Sequence, residues 1–378
     1  MSVFEGLAPA GDAVLRIEVR DGVIVDVVRR ATADADGIPL LLPGLVDVQV
    51  NGYAGWDVNA DDVSSDTIVE ITAALRAVGT TTWVPTVITA PEEKIVRALR
   101  AVRDARAKDP RVRDAIPCAH VEGPFISADD GAAGVHDRAW IRPLDADEVE
   151  RWSQAGPVGI VTVSPHTADA ADHIARIVRR GVVVSVGHTS ADHRQIRAAV
   201  DAGATMATHL GNGIPTMLPR HPNPIWTLLD DDRVTVGLIA DGHHLPDETL
   251  RAMMRAKGPG RAYLVSDLTA LGGLPPGEYE TPVGGRVSLS ADLRLGHLGS
   301  DMLAGAAATL FDGFRRVARM PDVGLDRALE AAAATPARLT PAARPGLASL
   351  SPGSPADLLL VEPAELTIQQ VIVGGERA

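Results

Sequence analysis

Residues 182–213 read VVVSVGHTSADHRQIRAAVDAGATMATHLGNG. The apolar, β-branched run Val182–Val186 stops at Gly187-His188. A helix is expected next, because Ile196, Ala199 and Val200 recur at the spacing of one helical face. After Gly203 a second short run, Ala204–Ala207, ends at Thr208-His209. Strand, crossover helix and strand make a βαβ unit with parallel strands. Each strand therefore carries a histidine just past its carboxyl end. In a parallel barrel those ends share one rim, so His188 and His209 are expected to face each other. Taken alone, the unit is read equally well as two loop histidines with no joint role.

Working outward, the same pattern recurs. Eight short apolar runs can be marked: Leu45–Val50, Thr80–Val84, Ile116–Val121, Gly159–Val163, Val182–Val186, Ala204–Thr208, Val234–Ile239 and Ala262–Ser266. Helical stretches separate most of them. Pro91–Ala107 opens with a proline and two glutamates, which suits a helix N-terminus. Others are expected over residues 168–180, 191–202 and Asp247–Lys257. This alternation predicts an α/β fold, a (β/α)8 TIM barrel over residues 43–338, rather than a doubly wound sheet. No GxGxxG or Walker pattern follows any of the runs, which removes the usual sign of a nucleotide site.

The two ends read differently. Val14–Arg29 alternates as a hairpin would, with Asp21-Gly22 as its turn. A polar patch, Ala31–Gly37, follows it. Gly353–Leu360 and Gln370–Gly375 read as short strands after a Pro/Ala-rich linker, Thr335–Pro345. Residues 1–42 and 339–378 are therefore expected to meet in a small β-sandwich domain beside the barrel.

Composition narrows the function. Lys plus Arg is 36 against 49 Asp plus Glu, a net charge of −13, which argues against a nucleic-acid partner. An anionic substrate would need a local cationic pocket to overcome that field. The single cysteine, Cys118, excludes an intrachain disulfide and fits a reducing compartment. The N-terminus lacks a basic-then-apolar leader, and no apolar run approaches membrane-spanning length. A cytoplasmic protein without membrane partners is expected. Aromatic residues are only 3%, so the core must be filled mainly by Val, Leu, Ile and Ala.

Aligning the strands brings distant residues to one rim. Strand one ends in Asp47-Val48-Gln49-Val50-Asn51-Gly52, strand three in His120-Val121-Glu122-Gly123-Pro124, and strands five and six supply His188 and His209. Strand seven runs into Asp241-Gly242-His243-His244, and strand eight into Ser266-Asp267. A glutamate, two or more histidines and an aspartate on one rim suit a catalytic divalent metal. Such a site needs three protein ligands, an open position and a carboxylate to move protons.

Six pieces carry a resemblance: PGLVDVQVNG (Pro43–Gly52), HVEGPF (His120–Phe125), SVGHTSA (Ser185–Ala191), THLGNG (Thr208–Gly213), IADGHH (Ile239–His244) and LVSDLTALGG (Leu264–Gly273). In this order they resemble the amidohydrolase superfamily and, within it, the N-acetylglucosamine-6-phosphate deacetylase family. The resemblance implies a metal-bearing (β/α)8 barrel with a small β domain built from both termini. It makes Glu122, His188 and His209 the metal ligands and Asp267 the residue that takes a proton from water and gives it to the leaving amine. Many superfamily members have His-x-His after strand one, whereas this chain has Gln49-x-Asn51. Amides are poor ligands for a transition metal, so one divalent ion is expected and Gln49 and Asn51 mark a vestigial second site. A Glu and two His accept Zn, taken first, or Fe, Co or Mn.

On the substrate side the resemblance assigns His244 to substrate contact and His136 to the acyl group. Asn212 and Gly213 fall in its sugar- and phosphate-binding loop. Arg220 falls on an arginine that reaches phosphate across a homodimer interface, where a planar fork gives two parallel bonds. His120 is read as a packed core histidine and His243 as structural. The chain departs from the family at Leu210–Gly213, His221–Trp226 and His297–Gly305, stretches expected on the sugar and phosphate side. The expected reaction is removal of the N-acetyl group from an N-acetylhexosamine 6-phosphate, foremost N-acetylglucosamine 6-phosphate. Hydrolysis of another N-acyl compound (an unphosphorylated acetamido sugar or N-acyl amino acid) is the alternative, with a non-catalytic binding barrel as the third reading.

Overall fold

A computed structural model describes residues 1–31, 37–281 and 284–378. Most of the polar patch Ala31–Gly37 lies outside the described residues. Eight parallel strands form one sheet curled into a nearly closed barrel. In chain order they are Leu45–Val50, Thr80–Ile88, Ala119–Glu122, Val158–Val163, Val183–Val186, Met206–Ala207, Thr235–Ile239 and Ala262–Val265. Each overlaps one of the apolar runs, as expected of strands covered on both faces, where there is no wet side to impose alternation.

The barrel interior is filled by Val46, Val48, Val84, Cys118, Ile160, Met206, Ile239, Tyr263 and Val265. Side chains two residues apart share a strand face, so Cys118, His120 and Glu122 rise in layers toward the carboxyl rim. His120 occupies the middle layer. Its Nδ1 faces the Val48 carbonyl at 3.3 Å and its Nε2 meets Thr162 Oγ1 at 2.7 Å. Thr162 in turn meets Thr208 Oγ1 at 2.7 Å, and Thr208 meets Ser185 Oγ at 2.6 Å. A carbonyl only accepts, so His120 Nδ1 carries the proton and the hydroxyls donate one after another toward the ring.

The helices cover the outside. Glu92–Lys108 buries Ile95, Ala98, Leu99, Val102 and Ala105 along one stripe, with acids in its first turn and bases in its last. In the central βαβ unit, His193–Asp201 starts at Asp192. That side chain accepts from the Arg194 and Gln195 amides, while Gln195 reaches back to the Asp192 N–H. Ile196, Ala199 and Val200 are its buried face.

The chain ends form a separate seven-stranded mixed sheet. Its order is Glu376–Arg377, Thr367–Val373, Leu358–Glu362, Leu40–Pro43, Ser2–Leu7, Ala13–Arg20, Val23–Ala31. The Pro/Ala-rich linker needs correcting. Thr335–Leu339 is helical, and Thr335 and Pro336 are buried. Proline is tolerated in a first turn and alanine favours helix, so this composition continues the preceding helix instead of ending it. A small antiparallel sheet was not anticipated. Gly277–Thr281, Gly285–Leu289 and Leu295–His297 are inserted after barrel strand eight and roof part of the rim. Among the described residues, no helix is long and apolar enough to cross a membrane.

Candidate metal centre and cavity

The rim residues converge. Glu122 Oε1 lies 3.2 Å from His188 Nε2 and 3.1 Å from His209 Nε2, and the two imidazole nitrogens are 3.0 Å apart. One ligand atom from each of the three residues falls within 4.8 Å of the others, and all three residues are buried. His188 Nδ1 sits 2.8 Å from the Ala132 carbonyl, so Nδ1 carries the proton and Nε2 presents its lone pair. His209 Nδ1 is buried with no partner. Against the cost of burial, His188 and His209 hold the Glu122 carboxyl well below its usual range. Glu122 likewise raises His209 although burial opposes it. Two imidazole nitrogens and a carboxylate oxygen packed this closely are a donor set that fits a divalent cation.

Backbone conformation helps to aim these groups. His188, His209 and Asp267 have φ of 47°, 28° and 53°, in the left-handed region that side chains other than glycine avoid. Each lies two residues past the end of its strand, and the turn throws its side chain over the mouth. Gly213 packs against the pair so closely that a Cβ there would lie 2.9 Å from His188 Nδ1 and 3.1 Å from His209 Cε1.

Gln49 and Asn51 act as donors. Gln49 Nε2 donates to Glu122 Oε1 at 3.0 Å, to Oε2 at 3.1 Å, and to Asp267 Oδ1 at 3.0 Å. Asn51 Nδ2 adds a bond of 2.9 Å to the same Asp267 oxygen. Burial, then the neighbouring Glu122 charge, pushes Asp267 up to about 6. A carboxyl poised there exchanges protons near neutral pH, which suits general acid–base work.

A cavity of about 600 Å³ opens above these groups. Its walls include Asn51, Glu122, His136, His188, His209, Asn212, Gly213, His244 and Asp267. His136 is buried, its Nδ1 is 2.7 Å from Thr89 Oγ1, and its ring lies edge-on to His188 at 4.3 Å. Burial, then the His188 ring, lowers it to about 3, so it is neutral. His244 Nδ1 is 2.6 Å from Asp241 Oδ2, and the Asp241 carboxylate also accepts the backbone N–H groups of His243 and His244. Asn212 Nδ2 has no partner.

Arg220 stands apart: it is exposed and contributes nothing to the cavity wall of its own chain. Two of the departing stretches do line the cavity, through Gly211–Gly213 and Met302–Gly305, but His221–Trp226 does not. Its proline-bearing segment leads into the helix Pro224–Asp230. Sequence reasoning also missed Asp57, Asn59 and the roof residues Leu271, Val287 and Leu295 on the wall. Asp241 orients His244, a role that the strand-end pattern alone does not assign. Its signal was a carboxylate three residues before a strand-end histidine.

Comparison with known proteins follows the same lines. Residues 40–378 match the model described as the amidohydrolase family. The chain is similar to the N-acetylglucosamine-6-phosphate deacetylase of Vibrio furnissii, at 31% identity over 350 residues covering 90% of this chain and 84% of that one. It is similar also to the N-acetylgalactosamine-6-phosphate deacetylase of a Shewanella species (strain ANA-3), at 31% identity, covering 95% of this chain and 90% of the other. Among solved structures, a mutant N-acetyl-D-glucosamine-6-phosphate deacetylase from Mycobacterium smegmatis, in complex with N-acetyl-D-glucosamine-6-phosphate, matches with a TM-score of 0.87. Identity there is 32%, covering 100% of this chain and 99% of that one.

Proposed function

The chain belongs to the amidohydrolase family, and from that premise we propose that it hydrolyses the N-acetyl group of an N-acetylhexosamine 6-phosphate to the amino sugar phosphate and acetate. N-acetylglucosamine 6-phosphate is the first substrate to test. The observation that carries the reading is the meeting of Glu122, His188 and His209 beside Asp267 under one cavity. Relatives named as deacetylases of glucosamine and galactosamine phosphates support the substrate class.

A divalent cation held by Glu122, His188 and His209, zinc before iron, cobalt or manganese, would supply Lewis acidity toward the amide carbonyl and lower the pKa of water. Asp267 takes a proton as water adds to the carbonyl carbon. It returns that proton to the nitrogen as the carbon–nitrogen bond breaks, because an amine must be protonated to leave. Gln49 and Asn51 hold the accepting oxygen of Asp267 in place. Their donor roles suit a site for one cation, with the second position vestigial. His244, steadied by Asp241, and Asn212 with Gly213 receive the sugar, while His136 sits nearest the acyl group. The barrel, residues 43–338, carries the chemistry, and residues 1–42 and 339–378 brace it.

The phosphate is the open element. Among the described residues the cavity wall contains no Lys or Arg, yet it contains Asp57, Glu122 and Asp267. Arg220 of a second copy in a homodimer would supply the missing cation. The same absence favours a second reading, an N-acyl substrate without phosphate. After metal reconstitution, acetate release should be compared for N-acetylglucosamine 6-phosphate, N-acetylgalactosamine 6-phosphate and their unphosphorylated forms. The first reading requires a preference for phosphorylated sugar that Arg220→Ala abolishes. Equal rates with both forms would replace it by the second, and no hydrolysis at all would refute both.

A further inference from the structure

The barrel is incompletely laced between its first and last strands. Every other neighbouring pair shares a ladder, but the sheet order ends at Leu45–Val50 on one side and Ala262–Val265 on the other. Past those limits the seam is drawn together by an isolated bridge between Val50 and Leu268, whose carbonyl accepts the Asn51 and Gly52 N–H groups at 2.8 and 3.1 Å, and by Asp267 N–H donating to the Gln49 carbonyl at 3.0 Å. Strand one is also irregular here, since its pairing with strand two shifts register between Asp47 and Val50.

Asp47 lies in this gap. It is wholly buried, and its Oδ1 accepts the backbone N–H of Gln49 at 3.3 Å and that of Ser266 at 3.2 Å. Its other oxygen, Oδ2, is buried without a partner. One residue thus supplies the acceptor that a continuous ladder would have provided across the seam. The two residues it ties flank the chemistry. Gln49 carries the amide that bonds both Glu122 and Asp267, and Ser266 precedes Asp267 directly. Asp267 itself sits in a left-handed conformation, φ 53°, that local preference does not maintain.

We propose that Asp47 is a positioning residue for Asp267: by tying Gln49 and Ser266 across the open seam, its carboxylate oxygen sets where the Asp267 side chain points. The proposed cation ligands come from strands three, five and six, and Asp47 touches none of them; its link to Glu122 runs only through Gln49, whose amide also holds Asp267, so its loss falls first on proton transfer. The inference rests on the reading of Asp267 as the proton carrier, and the test keeps the two apart.

Asp47→Ala, Asp47→Asn, Asp267→Asn and the double variant Asp47→Ala/Asp267→Asn are compared for bound metal, kcat, KM and amide hydrogen exchange. Asp47→Ala should keep its metal and its KM, lose about 100-fold in kcat, as misplacement by about 1 Å can cost, and exchange faster at Ser266 and Gln49. Asp47→Asn should recover most of that loss, because its amide oxygen accepts the same two N–H groups. Adding Asp47→Ala to Asp267→Asn should lower turnover no further, since the effect runs through Asp267. Should Asp47→Ala fail to fold, Asp47→Ser, whose hydroxyl is too short to span both amides, takes its place with the same expectations. Undiminished kcat in Asp47→Ala, an equal loss in Asp47→Asn, or a further loss in the double variant would each overturn the proposal while the parent reading stands. Full turnover in Asp267→Asn would overturn both.

Discussion

Replacing Asp267 by Asn separates what the residue does for chemistry from what it costs the fold. The oxygen that receives Gln49 Nε2 at 3.0 Å and Asn51 Nδ2 at 2.9 Å is retained in the amide, so both hydrogen bonds persist. What disappears is a buried negative charge. Burial, reinforced by Glu122, pushes the carboxyl from 3.8 up to about 6. A folded-state pKa above the unfolded one means that the charged form opposes folding. The penalty is absent below about pH 4, grows between about 4 and 6, and is complete above that. At about 1.4 kcal/mol per pH unit, it amounts to about 3 kcal/mol in the metal-free protein. Chelator-treated Asp267→Asn should therefore be more stable than the parent by about 1–3 kcal/mol at pH 8, and equal to it at pH 4. Urea unfolding at pH 4, 5, 6 and 8 measures this directly. With the cation restored, turnover should fall by about 10²–10⁴-fold, the usual worth of a general acid–base group. A variant no more stable than the parent at pH 8, a stability gap that does not vary with pH, or retained turnover would refute the reasoning.

Three further outcomes are expected. His209→Ala should lower bound metal and turnover together, read by metal analysis beside acetate release; turnover that survives metal loss would remove His209 from the ligand set. Gly213→Ala places a methyl group within 2.9 Å of His188 and 3.1 Å of His209 at φ 58°, so chelator competition should show metal held at least about tenfold more weakly, or about 1.4 kcal/mol. Lys257 is wholly buried and donates to the Leu228 and Asp231 carbonyls at 3.1 and 2.7 Å. Lys257→Met should cost about 2 kcal/mol in urea unfolding by removing a charged donor from both carbonyls, of which Asp231 keeps the Val234 N–H at 3.1 Å, with little change in metal content.

The barrel was legible because its strands are covered on both faces. Runs such as Val234–Ile239 need no alternation to be recognised, and the helix of the central unit announced itself through Ile196, Ala199 and Val200. The candidate cation site was legible for a related reason. Parallel strands end on one rim, so a residue's place in its run fixed its place in the cup. What escaped depends on contacts between segments with no local mark. The amides of Gln49 and Asn51 read as an empty metal position, whereas in the fold they donate to Glu122 and Asp267. Asp47 stood in plain view within Pro43–Gly52, but nothing nearby in sequence shows that its partner amide belongs to Ser266. The roof strands, Gly277–Thr281, Gly285–Leu289 and Leu295–His297, are short and set among glycines, which gives little period to read.

The left-handed turns at His188, His209 and Asp267 bear on any attempt to copy this chemistry elsewhere. Side chains grafted onto regular strand ends of another scaffold would alternate in and out, and those three would not gather. Each non-glycine residue held at such a φ costs about 1–3 kcal/mol, so the recipient must bring its own restraints, such as a glycine pressed against the imidazoles. A transplant succeeds only when loops travel with their residues.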